Sequence, residues 1–85
     1  KEMDVGRYYL MQNNPIAAIN RFQIIVDDYQ TTSHIPEALY RLVESYLMLG
    51  LSNEAKKYAA VLGHNYPDST WYKYCYSLIN NSLKE

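Results

Sequence analysis

A single cysteine, Cys75, leaves this 85-residue chain with no internal disulfide and without the paired thiols of a redox or zinc site. Histidine is scarce as well. Neither His34 nor His64 has a second ligand four residues away or a Cys-x-x-Cys partner, and no histidine stands beside Cys75 in sequence to act as its base. The three glycines, Gly6, Gly50 and Gly63, lie too far apart to form a phosphate cradle. No apolar run approaches the roughly 20 residues that a spanning helix needs, and Lys1 to Gly6 lacks the apolar core of a secretory signal. Were the chain part of a longer protein, its address and any lipid anchor would be expected upstream of Lys1. Charge of one sign is missing too: the net charge is −1, and eight basic residues are scattered among nine acids. No stripe exists that could neutralise a phosphate backbone, which excludes nucleic acid as the main partner. No segment alternates with period two, so strands are not expected.

What is present is apolar side chains at helical spacing. With 48% apolar and 20% charged residues the chain is globular rather than disordered. Five helices are expected. The first covers about Glu2 to Gln12 and ends at Asn13-Asn14, where Pro15 can open the second. The second runs from Ile16 to about Tyr29, with Ala18, Phe22, Ile25, Val26 and Tyr29 on one face. After the Gln30 to His34 loop, Pro36 enters a third helix that Gly50 stops in the left-handed conformation, with Leu39, Leu42, Val43 and Tyr46 on its buried side. Ser52 is expected to cap the fourth, which carries Ala55, Tyr58, Ala59, Leu62 and Tyr66. Pro67-Asp68-Ser69 closes it and caps a fifth helix from Thr70 to Leu83.

A shift of thirty-seven residues lays the chain on itself: Tyr9 falls on Tyr46, Ala18 on Ala55, Ile25 on Leu62 and Tyr29 on Tyr66. Repeats of this length form helical solenoids that bind other macromolecules, because one unit cannot bury its apolar face alone. The small residues Gly6, Ala18 and Ala55 fit close helix crossings. Val5-Gly6, Tyr9, Ala18 and Phe22, with Leu39, Leu42, Tyr46, Gly50, Ala55 and Pro67, resemble the tetratricopeptide pattern. Against that pattern Val43 replaces a glycine, Ala59 an aromatic residue and Gln30 a proline, and the period is three residues longer than the usual 34. The resemblance implies an all-α fold of stacked helical hairpins: one repeat over 1–31, a second over 34–67 and a capping helix over 69–83.

Val5-Gly6-Arg7-Tyr8-Tyr9-Leu10, Ala17-Ala18-Ile19-Asn20-Arg21-Phe22 and Glu37-Ala38-Leu39-Tyr40 look, more narrowly, like the C-terminal part of the BamD family. These are lipoproteins of the outer-membrane β-barrel assembly machinery. That resemblance implies a periplasmic location, a lipid anchor lying outside this sequence, and docking onto the periplasmic domains of BamA and onto other assembly-machinery lipoproteins. It also implies that Arg21, of the pair Asn20-Arg21, and Tyr8 stand at the contact with BamA. The other envelope reading is a tetratricopeptide coordinator of cell-envelope constriction.

Arg21 has a bidentate fork suited to a partner's carboxylate, or it pairs within the chain with Asp28 or Glu44. Tyr8 either reaches the partner or packs beside Tyr9. A partly apolar groove is expected on the first helix of each hairpin, from Met3, Arg7, Leu10 and Met11 and from Glu37, Tyr40, Glu44, Leu47 and Met48. It lacks the paired lysines and asparagines that clamp a C-terminal carboxylate. In the tyrosine-rich last third, Trp71 is expected to seal the core, while Tyr72 and Tyr74 are candidates for contact. The carboxylates are expected to be dispersed along outward positions. No catalytic residue, cofactor or metal is implied.

Overall fold

The computed structural model describes residues 2–28 and 33–83. Five helices account for nearly all of them: α1 (Glu2–Met11), α2 (Pro15–Asp28), α3 (Ile35–Met48), α4 (Ser52–Asn65) and α5 (Thr70–Leu83). Tyr29 to Thr32, where the sequence suggests a loop and the tyrosine equivalent to Tyr66, lie outside the described residues. No helix is long and apolar enough to cross a membrane, among the described residues.

The two hairpin reversals are the same structure thirty-seven residues apart. At the end of α1, Asn13 adopts φ +58°, its N–H donates to the Leu10 carbonyl, and the Asn14 N–H reaches back to the Tyr9 carbonyl at 2.9 Å. At the end of α3, Gly50 adopts φ +76°, its N–H donates to the Leu47 carbonyl, and the Leu51 N–H reaches the Tyr46 carbonyl at 2.9 Å. Both are Schellman ends, which satisfy carbonyls that a helix terminus would leave unpaired. The last residue of each reversal then opens the next helix. Asn14 accepts a bond from the Ala17 N–H through its side chain, ahead of Pro15 in the first turn. Leu51 has no side chain to do this, and Ser52, expected as the cap, is instead the first residue of α4 with no capping bond. Ser69 does cap α5, its hydroxyl accepting from the Trp71 N–H at 3.1 Å.

The helices form two layers, α1, α3 and α5 in one and α2 and α4 in the other, in an all-α stack of two tetratricopeptide-type hairpins closed by a terminal helix. Helix α3 is central and provides Ile35, Ala38, Leu39, Leu42 and Val43 to the core. Around it lie Met3, Ala18, Phe22, Ile25, Ala55, Leu62 and Cys75, all buried. Full burial of a leucine-sized side chain contributes about 1.5–3 kcal/mol, so α3 carries much of the stability. Ala18 and Ala55 are completely excluded from solvent, as residues at close helix crossings must be. Met3, expected on an open groove, is core instead: on α1 it faces the same side as Gly6, the contact face toward α2.

Candidate functional site

On the α1–α3–α5 layer, five charged residues from two helices form a continuous chain. Arg7 of α1 donates through Nε to Glu37 Oε2 at 3.0 Å and through Nη2 to Glu37 Oε1 at 3.2 Å, and its Nη1 reaches Asp4 at 3.0 Å. Glu37 also accepts from Arg41 Nε at 3.3 Å, and Arg41 Nη1 donates to Glu44 at 3.0 Å. Far from lying dispersed on the surface, Glu37 sits between two guanidinium groups with its side chain only 12% exposed. The Arg7 pKa is raised, chiefly by the hydrogen bonds it donates to Glu37, with burial acting against it. The fork-to-fork pairing is the strong kind of ion pair, and it fixes the first hairpin against the second.

Arg41 extends the chain to α5. Its guanidinium carbon lies 5.4 Å from the ring centres of both Tyr40 and Trp71, and Trp71 and Tyr74 meet edge to face at 5.5 Å. Tyr40 and Trp71 are 5.4 Å apart. Trp71 thus ties α5 to α3 by direct ring contact with Tyr40, the Arg41 guanidinium lying beside both rings; expected to seal the core, it packs on this outer cluster instead, outside the buried residues. The Tyr40 hydroxyl is pushed to a higher pKa first by burial and next by Glu44. Beside this chain, Arg7, Leu10, Met11, Arg41 and Glu44 border a shallow cavity of about 300 Å³ between α1 and α3.

The remaining candidate residues are spread over the molecule. Arg21 of α2 pairs with neither Asp28 nor Glu44; its Nη1 donates to Glu2 of α1 at 3.3 Å, with its side chain 41% exposed. Asn20 is exposed beside it in sequence. Tyr8 touches Tyr9 edge to face at 5.7 Å yet remains 57% exposed. Tyr74 is half exposed. Tyr72 is half-buried and covers Gly63, where an added Cβ would lie 2.6 Å from its ring. Spacing alone does not single out Arg7, Glu37 and Arg41 as one network, nor the bond by which Tyr58, on the apolar stripe of α4 and stacked on Tyr46 at 5.6 Å, donates to Gln23 across the hairpins at 2.9 Å. The only sequence signal for the network was the repeated placing of charge on the first helix of each hairpin.

No group of three or more His, Cys, Asp or Glu side chains is placed to hold a metal ion among the described residues. Cys75 is buried against α3 and α4, and desolvation pushes its pKa up to about 11, so its thiolate is scarce at neutral pH.

Residues 1–62 match the family model described as YfiO, outer membrane lipoprotein. The chain belongs to the YfiO/BamD family. It is 65% identical over 81 residues to the outer membrane protein assembly factor BamD of Rickettsia prowazekii, covering 95% of this chain and 32% of the relative. It is 52% identical over 82 residues to BamD of Caulobacter vibrioides, covering 96% of this chain and 27% of that protein. With BamD of Neisseria meningitidis serogroup A the identity is 41% over 68 residues, covering 80% of this chain and 26% of the relative. The chain thus spans about a third or less of the BamD proteins it matches. No solved structure matches it significantly.

Proposed function

We propose that this chain is a non-catalytic docking module of the outer-membrane β-barrel assembly machinery, acting at the periplasmic face of the outer membrane in a lipid-anchored protein. Membership of a family whose relatives are named outer membrane protein assembly factors carries this reading. The same relatives favour it over a coordinator of envelope constriction. A buried, poorly ionised Cys75 agrees with a role that needs no nucleophile.

The partners are BamA, through its periplasmic domains, and the other lipoproteins of the machinery. Arg21 is the anchor toward BamA, with Asn20 and Tyr8 beside it on the first hairpin. Among the described residues Glu2 holds one nitrogen of the Arg21 guanidinium and leaves the rest of the fork to a partner carboxylate. Tyr40, Glu44, Tyr72 and Tyr74 serve contacts along α3 and α5. Because Arg21 already has an acidic neighbour, binding exchanges or shares that ion pair. The affinity then depends on the geometry of the partner carboxylate and falls with salt.

The test is a pull-down of full-length protein with the periplasmic domains of BamA, comparing wild type with Arg21→Ala and Arg21→Glu. Loss of an interface anchor costs about 2 kcal/mol or more, a thirtyfold weakening, and charge reversal costs more. Helical content and melting temperature serve as controls for the Glu2 contact. Equal binding by all three folded proteins would remove Arg21 from the interface.

A further inference from the structure

We infer that the trough between α4 and α5 is a docking groove for a short amphipathic helix with acidic flanks, supplied by a partner at a site separate from Arg21. The two inter-hairpin junctions differ. Helix α3 packs closely along α2, whereas α5 leans chiefly on α3, through Trp71, Tyr40 and Arg41, and touches α4 more sparsely. The side chains explain the opening. At the thirty-seven-residue offset, Phe22, Gln23 and Val26 of α2 become Ala59, Ala60 and Gly63 of α4, so α4 has little bulk to offer α5. Tyr72 fills the Gly63 end. The rest stays open as a cavity of about 230 Å³ walled by Lys56, Ala59, Ala60, Tyr72, Tyr76 and Ile79, most of it apolar, with Cys75 at its base.

Shape and charge decide the occupant. A trough between two helices with alanines along one wall admits a third helix axis at the usual 8–10 Å, whereas a flat bilayer cannot enter it. Among the described residues no acidic side chain lines the trough. Lys56 stands on its α4 wall, and Lys73, three residues before Tyr76 and so on the same side of α5, is exposed near the other. Glu54, the nearest acid on α4, pairs with Lys57 instead. A second copy meeting this one groove to groove would bring the same lysines together and be repelled; a helix with glutamate or aspartate beside its apolar stripe would be attracted. The inference does not depend on which assembly the protein serves.

Selection of a phage-displayed helical peptide library against the full-length protein tests it. Selected peptides are expected to carry apolar residues at i, i+3 or i+4 and i+7 with Asp or Glu flanking them. Measured by fluorescence anisotropy, a synthetic copy of the strongest binder should bind Ala60→Trp at least tenfold more weakly and Lys56→Glu at least fivefold more weakly. Both sites are exposed, so both variants should keep the wild-type melting temperature. Selection of no such pattern, enrichment of basic flanks, equal binding by both variants, or self-association that Ala60→Trp abolishes would each overturn the proposal. Loss of BamA binding by Arg21 variants with the peptide still bound would separate the two sites.

Discussion

Gly6 and Phe22 fit together because one of them has no side chain. A Cβ on Gly6 would lie 2.6 Å from two carbons of the Phe22 ring, and that ring is fully buried with nowhere to retreat. In the second hairpin the same two positions hold Val43 and Ala59, so the large and small partners have changed helices. Both arrangements fill the crossing, and each constrains its own pair.

Gly6→Ala should therefore destabilise the fold by about 1–3 kcal/mol, the usual cost of overpacking. Urea unfolding followed by circular dichroism measures it. Adding Phe22→Leu should cost less in the Gly6→Ala background than in wild type, and strictly additive losses would show that the two sites do not touch.

At the reversals the prediction concerns backbone alone. Gly50 has a left-handed φ and nothing within 4 Å of an added Cβ, so Gly50→Ala should cost about 1 kcal/mol with no packing change. Gly50→Asn should cost less, since Asn13 already occupies the equivalent place. Asn13→Gly should be neutral or slightly stabilising in the same unfolding experiment.

The bond from Tyr58 to Gln23 links α4 to α2, and Tyr58→Phe should remove about 0.5–1.5 kcal/mol while keeping the stack on Tyr46. Gln23→Ala in the Tyr58→Phe background should then add little beyond its lost methylenes. A large further loss would mean that Gln23 works through another neighbour.

Cys75 gives the pH dependence its sign. The folded thiol titrates near 11 rather than 9.0, so above about pH 9 the unfolded chain releases a proton that the folded chain keeps. Stability should be whole below pH 9 and fall by up to about 1.4 kcal/mol per pH unit as pH rises toward 11. Tyr40 and Tyr46, raised chiefly by burial, act in the same direction only above pH 10. Chemical unfolding of wild type and Cys75→Ala between pH 8 and 10 isolates the thiol: the variant's profile should be flatter. Ellman's reagent should label native Cys75 slowly, at the rate at which α5 lifts away.

Local features of the sequence carried most of the fold. Apolar spacing placed all five helices, Gly50 marked its reversal, and Gly6, Ala18 and Ala55 marked close crossings, because each is a property of one residue against its own helix. Long-range pairings were not legible. Arg7 and Glu37 are thirty residues apart, and nothing in their local spacing distinguishes them from solvated helix charges until α1 and α3 are laid side by side. Arg21 likewise finds Glu2 because α2 folds back over the start of α1. Ser52 looked like a cap, yet the Schellman turn uses Leu51 both to finish α3 and to begin α4, which pushes the serine one place into the helix. Met3 points inward for a related reason: the facing residues of α2 that cover it are set by packing angles rather than by periodicity.

Since each reversal is closed by the same pair of main-chain bonds, with only one residue held to an unusual conformation, it demands little of the gene that encodes it. Duplication or deletion of a unit in phase with these bends would preserve both boundaries. Arrays of this kind can therefore grow or shrink by whole units in descent, and the size swap at the helix crossings sets which neighbouring units can be exchanged.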